Sequence, residues 1–190
     1  MTPAMTPAEI ALLTRRLSAS TNYLEFGSGG STVLAATLVS HSITSVESDI
    51  AWADRVVARI KQSVCRPRLQ MIHVDIGETG KFGYPVGLES RDKWDNYYTM
   101  VWQELDAAEI DLVLVDGRFR VACFLTTLLR CPPNTRVMIH DFAVRPEYQA
   151  VRAFADEAEV ADNLSVFTRR RDFNEDDARA CVLAHAIDPR

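Results

Sequence analysis

The sequence predicts an α/β fold in which one mostly parallel sheet carries helices on both faces. A short apolar strand, a glycine-rich turn and the start of a helix follow one another within residues 23–36. Further apolar strands then alternate with amphipathic helices, which is the order typical of a parallel sheet. Several of these strands end next to an acidic residue, and open α/β sheets bind ligands at the carboxyl ends of their strands. The same pattern therefore predicts where a functional site lies.

Length and charge limit the partners that the protein can have. Its 190 residues suit a single domain with a sizeable core, expected to span residues 1–190. The net charge of -5 gives no general attraction for nucleic acid or for an anionic membrane. A small-molecule substrate is favoured over either of these partners.

The cysteines and the apolar segments bear on the compartment. The four cysteines are scattered without a Cys-x-x-Cys pair, so reduced thiols are expected rather than a zinc site or disulfides. No hydrophobic run reaches the length of a membrane span, and the N-terminus lacks the layout of a signal peptide. We therefore expect a cytoplasmic protein.

The first predicted element is a helix within residues 1–20. Thr6 is a favourable N-cap, Pro7 suits the first helical position, and Glu9 completes a capping box. Apolar residues recur on one face of this segment until about Ser18, so the helix is expected to pack on the body of the domain.

A predicted strand at 23–26 leads into the glycine turn 27–30, and a helix begins near Ser31. Glycine permits a positive φ and lets a ligand approach the backbone amides, because it has no Cβ. The unpaired amides of a helix N-terminus favour a carboxylate or a phosphate. The turn, comprising Gly27, Ser28, Gly29 and Gly30, is therefore predicted to be a cofactor seat; the alternative is a turn without a ligand.

A second strand, Ile43 to Asp49, carries Glu47 about twenty positions after the glycine turn, a spacing at which nucleotide-binding folds place a carboxylate for ribose hydroxyls. A dinucleotide site would have the pattern Gly-x-Gly-x-x-Gly, but Thr32 stands at the third glycine. Asp49 is predicted to cap the next helix, and Trp52 either covers a cofactor edge or packs in the core.

The segment Glu25-Phe-Gly27-Ser-Gly29-Gly30-Ser resembles the first motif of class I S-adenosylmethionine-dependent methyltransferases, an acidic residue followed by any residue and Gly-x-Gly. Glu47 matches the acid that ends the second strand in this superfamily. The resemblance extends over most of the chain, with weaker later motifs. It implies a small stand-alone protein with a Rossmann-like, doubly wound, mostly parallel seven-stranded sheet and an antiparallel C-terminal strand.

The resemblance also implies roles for individual residues. The glycine turn would wrap the methionine end of the cofactor, and Glu47 would hold its ribose. Glu25 would contact the cofactor's amino end, or would instead be a strand-end carboxylate that caps loop amides. Asp75 and Ile76 follow a third strand, Leu69 to Val74. Asp75 would accept from the adenine amino group and Ile76 would pack on the ring, unless Asp75 is a solvated turn residue.

Residues 77–98 interrupt the alternation of strands and helices. This segment is rich in glycine and carries interspersed aromatic residues. A loop of this length in a compact domain is usually functional or mobile. We expect a lid over the cofactor mouth; anchoring of the loop to the body and an oligomer contact are the alternatives.

Two buried strands are predicted to place candidate catalytic residues at one edge of the sheet. The strand 111–115 ends at Asp116, and the strand 136–139 ends at His140 and Asp141. These strands are expected to be neighbours, so the two carboxylates would face one gap. Asp116 or His140 is a candidate base that removes a proton from the acceptor. His140 as a structural hydrogen-bonding residue is the alternative.

A divalent metal at this edge is a further possibility. In metal-dependent O-methyltransferases, which the chain resembles here, an Asp after strand four and an Asp after strand five, commonly followed by Asn, hold a divalent cation. Asp116 and Asp141 occupy similar places, but Phe142 stands where that Asn would be, so the site would be incomplete. Hard oxygen ligands would suit Mg²⁺.

The remaining elements follow from apolar patterning. Residues 163–169 and 179–186 are expected to form a C-terminal hairpin joined by a very polar connection, with a loose tail after Ile187. Three helices are also predicted: 99–108, 121–129 and one that begins at Pro146.

The favoured function is methyl transfer from S-adenosylmethionine to a small-molecule oxygen or nitrogen acceptor. The alternatives are an NAD(P)-dependent oxidoreductase and a non-catalytic S-adenosylmethionine-binding module. Arg118 and Arg120 either bind an anionic substrate or only solvate a helix start. A homodimer that lends residues to the site is a further expectation.

Overall fold

Seven strands form one mixed sheet in the computed structural model, which describes residues 1–63 and 65–190. The strand order is β3-β2-β1-β4-β5-β7-β6. The first five strands pair in parallel, β7 is antiparallel to β5, and β6 is antiparallel to β7. This arrangement confirms the predicted fold class. The strands are β1 (Asn22–Phe26), β2 (Ser42–Glu47), β3 (Arg68–His73), β4 (Leu112–Val115), β5 (Arg136–Ile139), β6 (Ala155–Ala161) and β7 (Leu164–Arg169).

Helices cover both faces of the sheet. Successive side chains of a strand point to opposite faces, and both sets are buried here. Tyr23 of β1 belongs to a core with the first three helices, whereas Leu24 belongs to a core with the fifth and sixth helices. The helices are α1 (Pro7–Ser18), α2 (Gly30–Leu38), α3 (Ile50–Lys61), α4 (Asn96–Thr99), α5 (Arg120–Arg130) and α6 (Glu175–His185).

The predicted caps of two helices are confirmed. At the start of α1, the Thr6 hydroxyl accepts from Glu9 N at 3.3 Å, and Glu9 Oε2 accepts from Thr6 N at 2.7 Å. At the start of α3, Asp49 accepts from Trp52 N at 3.0 Å. These caps satisfy amides that the helices leave unpaired.

The predicted C-terminal hairpin is wrong in its second strand. β7 pairs with β6, which precedes it, and residues 175–185 form α6. Asp162 and Asn163 make the two-residue turn between β6 and β7, with Asp162 at φ 48°. Asn174 caps α6, because its Oδ1 accepts from the amides of Asp176 and Asp177. The acidic first turn of α6 also suits a helix N-terminus. The polar connection is therefore a helix start.

Two other local predictions are also wrong. In place of a helix over 99–108, the chain forms α4 and two short 3₁₀ turns, Met100–Gln103 and Ala107–Glu109; Asp106 starts the latter by accepting from Ala108 N. The C-terminal tail is not loose, because Pro189 O accepts from Phe119 N at 3.3 Å. Arg190 O similarly accepts from Arg120 N at 2.9 Å. The tail thus supplies the partners for the first amides of α5.

Across the described part of the chain, no helix is both long enough and apolar enough to cross a membrane.

The helix predicted to begin at Pro146 is a 3₁₀ helix, Pro146–Ala153.

Candidate active site

A cavity of about 650 Å³ opens at the carboxyl ends of β1, β2, β4 and β5. Its walls are the loops that follow these strands, together with the N-terminal residues 1–4 and residues 82–84 of the candidate lid. The glycine turn, Glu47, Asp116, His140 and Asp141 all line it. Residues that are far apart in the sequence therefore share one enclosure.

The glycine turn is held against the loop after β4, backbone to backbone. Gly27 has φ 95°, and a Cβ on it would lie 2.5 Å from the Cα of Gly117. A Cβ on Gly117 would in turn collide with the hydroxyl of Tyr97. A Cβ on Gly29, by contrast, would meet no atom within 4 Å. Gly27 therefore serves the close approach of two loops, whereas Gly29 presents open backbone to the cavity.

Glu47 joins the end of β2 to the glycine turn. Its Oε2 accepts from the amide of Ser28 at 3.0 Å and from the hydroxyl of Ser28 at 2.9 Å. Its Oε1 accepts from the amides of Ser48 and Asp49 at 2.8 and 3.0 Å. Trp52 Nε1 donates to Ser28 O at 2.8 Å, so both residues hold the turn in place while lining the cavity.

Glu25 lies beneath the turn and does not line the cavity. It is fully buried and accepts from the hydroxyls of Tyr23 at 3.0 Å and Ser45 at 2.7 Å. Its partners among the described residues are thus hydroxyl groups rather than loop amides, and its implied contact with the cofactor's amino end stays a prediction. Burial raises the pKa of Glu25 from 4.5 to about 7, although hydrogen bonds from Thr32 and Ser45 oppose the rise.

Glu25 should make stability depend on pH. The native carboxyl keeps its proton up to about pH 7, whereas the unfolded chain releases it near 4.5. The native state binds more protons in this window, so the free energy of unfolding should fall as pH rises, by on the order of 3 kcal/mol. Urea unfolding across this pH range measures the fall, and Glu25→Gln should flatten it.

The exposed carboxylate Glu175 provides the matched control for this measurement. Glu175→Gln should leave the pH profile of the parent unchanged. An equally steep profile in Glu25→Gln would show that another group is responsible.

Asp75 and Ile76 lie outside the cavity wall. Asp75 is exposed and accepts from Gly77 N at 2.9 Å and from Lys93 Nζ at 2.7 Å. Ile76 is fully buried, and its carbonyl accepts from Trp94 Nε1 at 3.2 Å. Both residues are held by the loop that follows β3, so their implied adenine contacts stay predictions.

The segment 77–98 has two parts with different environments. Trp94, Tyr97 and Tyr98 are almost fully buried in the core and anchor its second half. Tyr97 also reaches the cavity wall from the core, whereas Phe82 and Tyr84 line the cavity from the loop, with Phe82 at φ 61° and 75% exposed. Only the first half is therefore placed as a lid would be.

Asp116, His140 and Asp141 come together at the edge of the sheet. β4 and β5 pair in parallel with Val115 opposite Ile139, so the loops after them start side by side. His140 Nδ1 lies 3.0 Å from Asp116 Oδ1. Each of the three residues offers one potential metal-ligating atom, and these three atoms lie within 4.8 Å of one another.

Two residues that sequence reasoning did not place here complete the cluster. Arg120 Nη2 lies 3.3 Å from Asp116 Oδ1, and Arg120 Nη1 lies 3.1 Å from Asp141 Oδ2. Glu9 Oε2 lies 3.4 Å from His140 Nε2, so a carboxylate faces each ring nitrogen of this histidine. The spacing of Asp116 and Arg120 on the chain was a usable signal, but Glu9 was accounted for by its capping role.

These contacts shift the pKa values of Asp116 and His140. Burial would raise the pKa of Asp116, but the hydrogen bond from His140 and the charge of Arg120 outweigh it and hold that pKa below its ordinary value. Burial would likewise lower the pKa of His140, but Asp116 and Asp141 outweigh it and raise that pKa. Asp116 is therefore an ionised carboxylate at the cavity wall at neutral pH.

The same contacts decide whether Asp116, His140 and Asp141 could hold a divalent cation. Asp116, His140 and Asp141 are donors of a suitable kind, but the guanidinium of Arg120 already bridges the two carboxylates. Phe142, at the position of the expected Asn, is 1% exposed and packs against Phe167 with ring centroids 5.0 Å apart. A divalent cation does not fit this donor set as it stands, because it would compete with Arg120.

Comparison with known proteins places the chain in a family. No protein-family model and no curated protein sequence matches it. A methyltransferase-like protein from Silicibacter pomeroyi has a similar structure, with a TM-score of 0.89 and 30% sequence identity, and the match covers 98% of this chain and 97% of that one. The chain belongs to the class I S-adenosylmethionine-dependent methyltransferase superfamily. The resemblance first visible in the glycine turn is thereby confirmed.

More distant structures share the fold of this methyltransferase-family chain. An O-methyltransferase from Bacillus cereus, in complex with S-adenosylhomocysteine, is 16% identical, with a TM-score of 0.54 over 88% of this chain and 84% of that one. An RNA methyltransferase from Salinibacter ruber, in complex with the same compound, is 16% identical, with a TM-score of 0.53 over 90% of this chain and 97% of that one. At such identity these two likenesses concern the fold.

Proposed function

We propose that this methyltransferase-family chain transfers a methyl group from S-adenosylmethionine to an oxygen or nitrogen atom of a small molecule. One observation carries the proposal: a single cavity is lined both by the glycine turn with Glu47 and by the Asp116, His140 and Asp141 edge. A cofactor seat and a candidate base thus face the same space, as a transfer reaction requires.

The cavity suits the cofactor in size and in chemistry. Its volume of about 650 Å³ lies within the range of pockets that enclose small ligands. The open backbone at Gly29 permits close approach, and the carboxylate of Glu47 is hydrogen-bonded to the turn at the cavity wall. The Bacillus cereus and Salinibacter ruber proteins each held S-adenosylhomocysteine, and we expect the same product to bind here.

The chain's own residues would then position the acceptor and take its proton. When bound, S-adenosylmethionine supplies an electrophilic methyl group, whose carbon–sulfur bond breaks with the electron pair left on sulfur. Holding the acceptor atom in line behind that methyl is the main task of the protein. Asp116 accepts the proton from the acceptor, and His140 stabilises the ionised carboxylate beforehand. Arg120 keeps Asp141 and Asp116 in place.

The alternatives receive less support from the same cavity. Thr32, at the third glycine of a dinucleotide pattern, is fully buried, and its hydroxyl accepts from Gly29 N at 2.8 Å. It therefore caps the turn, which disfavours a nicotinamide enzyme. A non-catalytic module is disfavoured because the cavity reaches Asp116 and Asp141. The net charge favours a small acceptor over a nucleic acid, and a homodimer stays a prediction.

Thermal unfolding with different nucleosides tests the cofactor. S-adenosylhomocysteine at a hundred times its dissociation constant should stabilise the protein by about 2.7 kcal/mol. This corresponds to a rise in melting temperature of roughly 5–10 °C for a chain of this size. NAD⁺ at the same concentration should have no effect. A larger rise with NAD⁺, or no rise with S-adenosylhomocysteine, contradicts the proposed function.

A further inference from the structure

Arg118 is a buried arginine that lines the cavity and has few partners. It is 7% exposed. Among the described residues, its Nε has no hydrogen-bond partner, and its Nη1 reaches only Pro189 O at 3.4 Å. Its guanidinium carbon lies 3.9 Å from the centre of the Tyr84 ring. The guanidinium therefore lies over the Tyr84 ring, and its Nε and Nη2 have no hydrogen-bond partner among the described residues.

The other arginines of the cavity are paired. Arg120 contacts the carboxylates of Asp116 and Asp141, and Arg145 lies 4.0 Å from Glu147. Arg118 has no carboxylate oxygen within 4.0 Å in the described part of the chain. A buried charge without a partner is costly, so proteins normally pair it or use it to bind a ligand. The spare donors of Arg118 therefore indicate an anion site.

We propose that the methyl acceptor is an anion, a small carboxylate or phosphate ester, whose charged group pairs with Arg118. The planar guanidinium presents a fork that matches either group bidentately. Arg118 follows Asp116 and Gly117 directly, so the anionic group would be held next to the carboxylate that receives the acceptor's proton. The proposal rests on the proposed function and adds the substrate class to it.

Tyr84 gives the site a second wall. It lies in the first half of the candidate lid, and its ring stacks on Arg118 from that side. A guanidinium that stacks on an aromatic ring keeps its edge free for hydrogen bonds. Tyr84 and Arg118 thus form one wall of the cavity together.

Calorimetric titration with simple probes tests this assignment. Benzoate and phenyl phosphate supply the two anions, and benzamide is the neutral counterpart of benzoate. Each is titrated into the protein with and without saturating S-adenosylhomocysteine. The parent protein should bind at least one anion and not benzamide, and the stronger of the two identifies the anionic group. Benzamide binding as tight as benzoate, or no binding of either anion, overturns the proposal.

Variants of Arg118 show whether this residue holds the anion. Arg118→Gln should weaken anion binding at least about tenfold, or by about 1.4 kcal/mol, since it removes hydrogen bonds donated by a charged group. The affinity for S-adenosylhomocysteine should stay unchanged. Arg179→Gln removes the same charge from an exposed position on α6 and should alter neither affinity.

Other outcomes of these titrations separate this inference from the proposed function. An equal loss of S-adenosylhomocysteine affinity in Arg118→Gln would assign the arginine to the cofactor's carboxylate and overturn the anionic acceptor. Failure of the parent protein to bind S-adenosylhomocysteine would contradict the proposed function, and the titrations without nucleoside would still test the anion site. Should Arg118→Gln not fold, Arg118→Lys carries the test, because an ammonium keeps the charge but not the fork; unchanged anion affinity there overturns the proposal.

Discussion

Gly27→Ala should abolish S-adenosylhomocysteine binding and lower the melting temperature by roughly 10 °C. Position 27 has φ 95°, which a residue with a Cβ adopts only under strain. The added methyl would also lie 2.5 Å from the Cα of Gly117 and 2.9 Å from the carbonyl carbon of Asp116. Backbone strain and overpacking each cost about 1–3 kcal/mol. The loops after β1 and β4 would have to separate, and the cofactor seat would separate with them.

Gly29→Ala is the matched control for this substitution. Gly29 has an extended φ of 170°, and a Cβ there would meet no atom within 4 Å. The variant should therefore keep the melting temperature of the parent, and only its affinity for S-adenosylhomocysteine should fall, because the methyl enters the cavity. Scanning calorimetry and titration calorimetry on both variants measure the two effects. Equal melting temperatures for Gly27→Ala and the parent would show that the loops are not in contact.

Asp116→Asn should lower turnover at least about 100-fold, the lower end of what a positioned base contributes. The substitution keeps the shape of the side chain but removes the negative charge that we propose accepts the acceptor's proton. It also leaves the glycine turn and Glu47 untouched, so S-adenosylhomocysteine should bind with near-parental affinity. Release of S-adenosylhomocysteine from S-adenosylmethionine, with a series of hydroxybenzoates and aminobenzoates as acceptors, provides the assay.

The control for Asp116→Asn is Asp172→Asn, which removes an exposed carboxylate paired with Arg170. It should be fully active. The melting temperature of Asp116→Asn is measured alongside, because Arg120 and His140 lose a charged partner in that variant. A folded Asp116→Asn protein with parental turnover would remove Asp116 from the catalytic role.

The parts of the fold that were predictable depend on short-range patterns. The strand, turn and helix around Gly27, the capping box of α1 and the Asp49 cap of α3 each rest on residues close together in the chain. The alternation of apolar strands and helices then restricts the sheet to a parallel arrangement, which brings strand ends to one edge. For this reason Asp116, His140 and Asp141 could be assigned to one site before their contacts were known.

The predictions that failed required knowledge of a partner in space. The partner of β7 was misassigned because an acidic, Asn-capped helix start and a polar turn look alike in composition. The surroundings of other residues were equally out of reach of the sequence: Glu25 is enclosed by hydroxyls beneath the turn, and its implied contact with the cofactor stays a prediction. Asp75 likewise pairs with Lys93 outside the cavity wall, and its implied contact with adenine stays a prediction.

Sequence therefore determined the class of fold, the glycine turn and the sheet edge at which Asp116, His140 and Asp141 meet, since each is encoded by periodicity and by residues that are near neighbours in the chain. Only folding in three dimensions brought Glu9 to His140, set Arg120 between two carboxylates and left Arg118 without a carboxylate partner among the described residues. Such contacts depend on how distant loops pack and on which buried charges share a partner, and no local pattern records either.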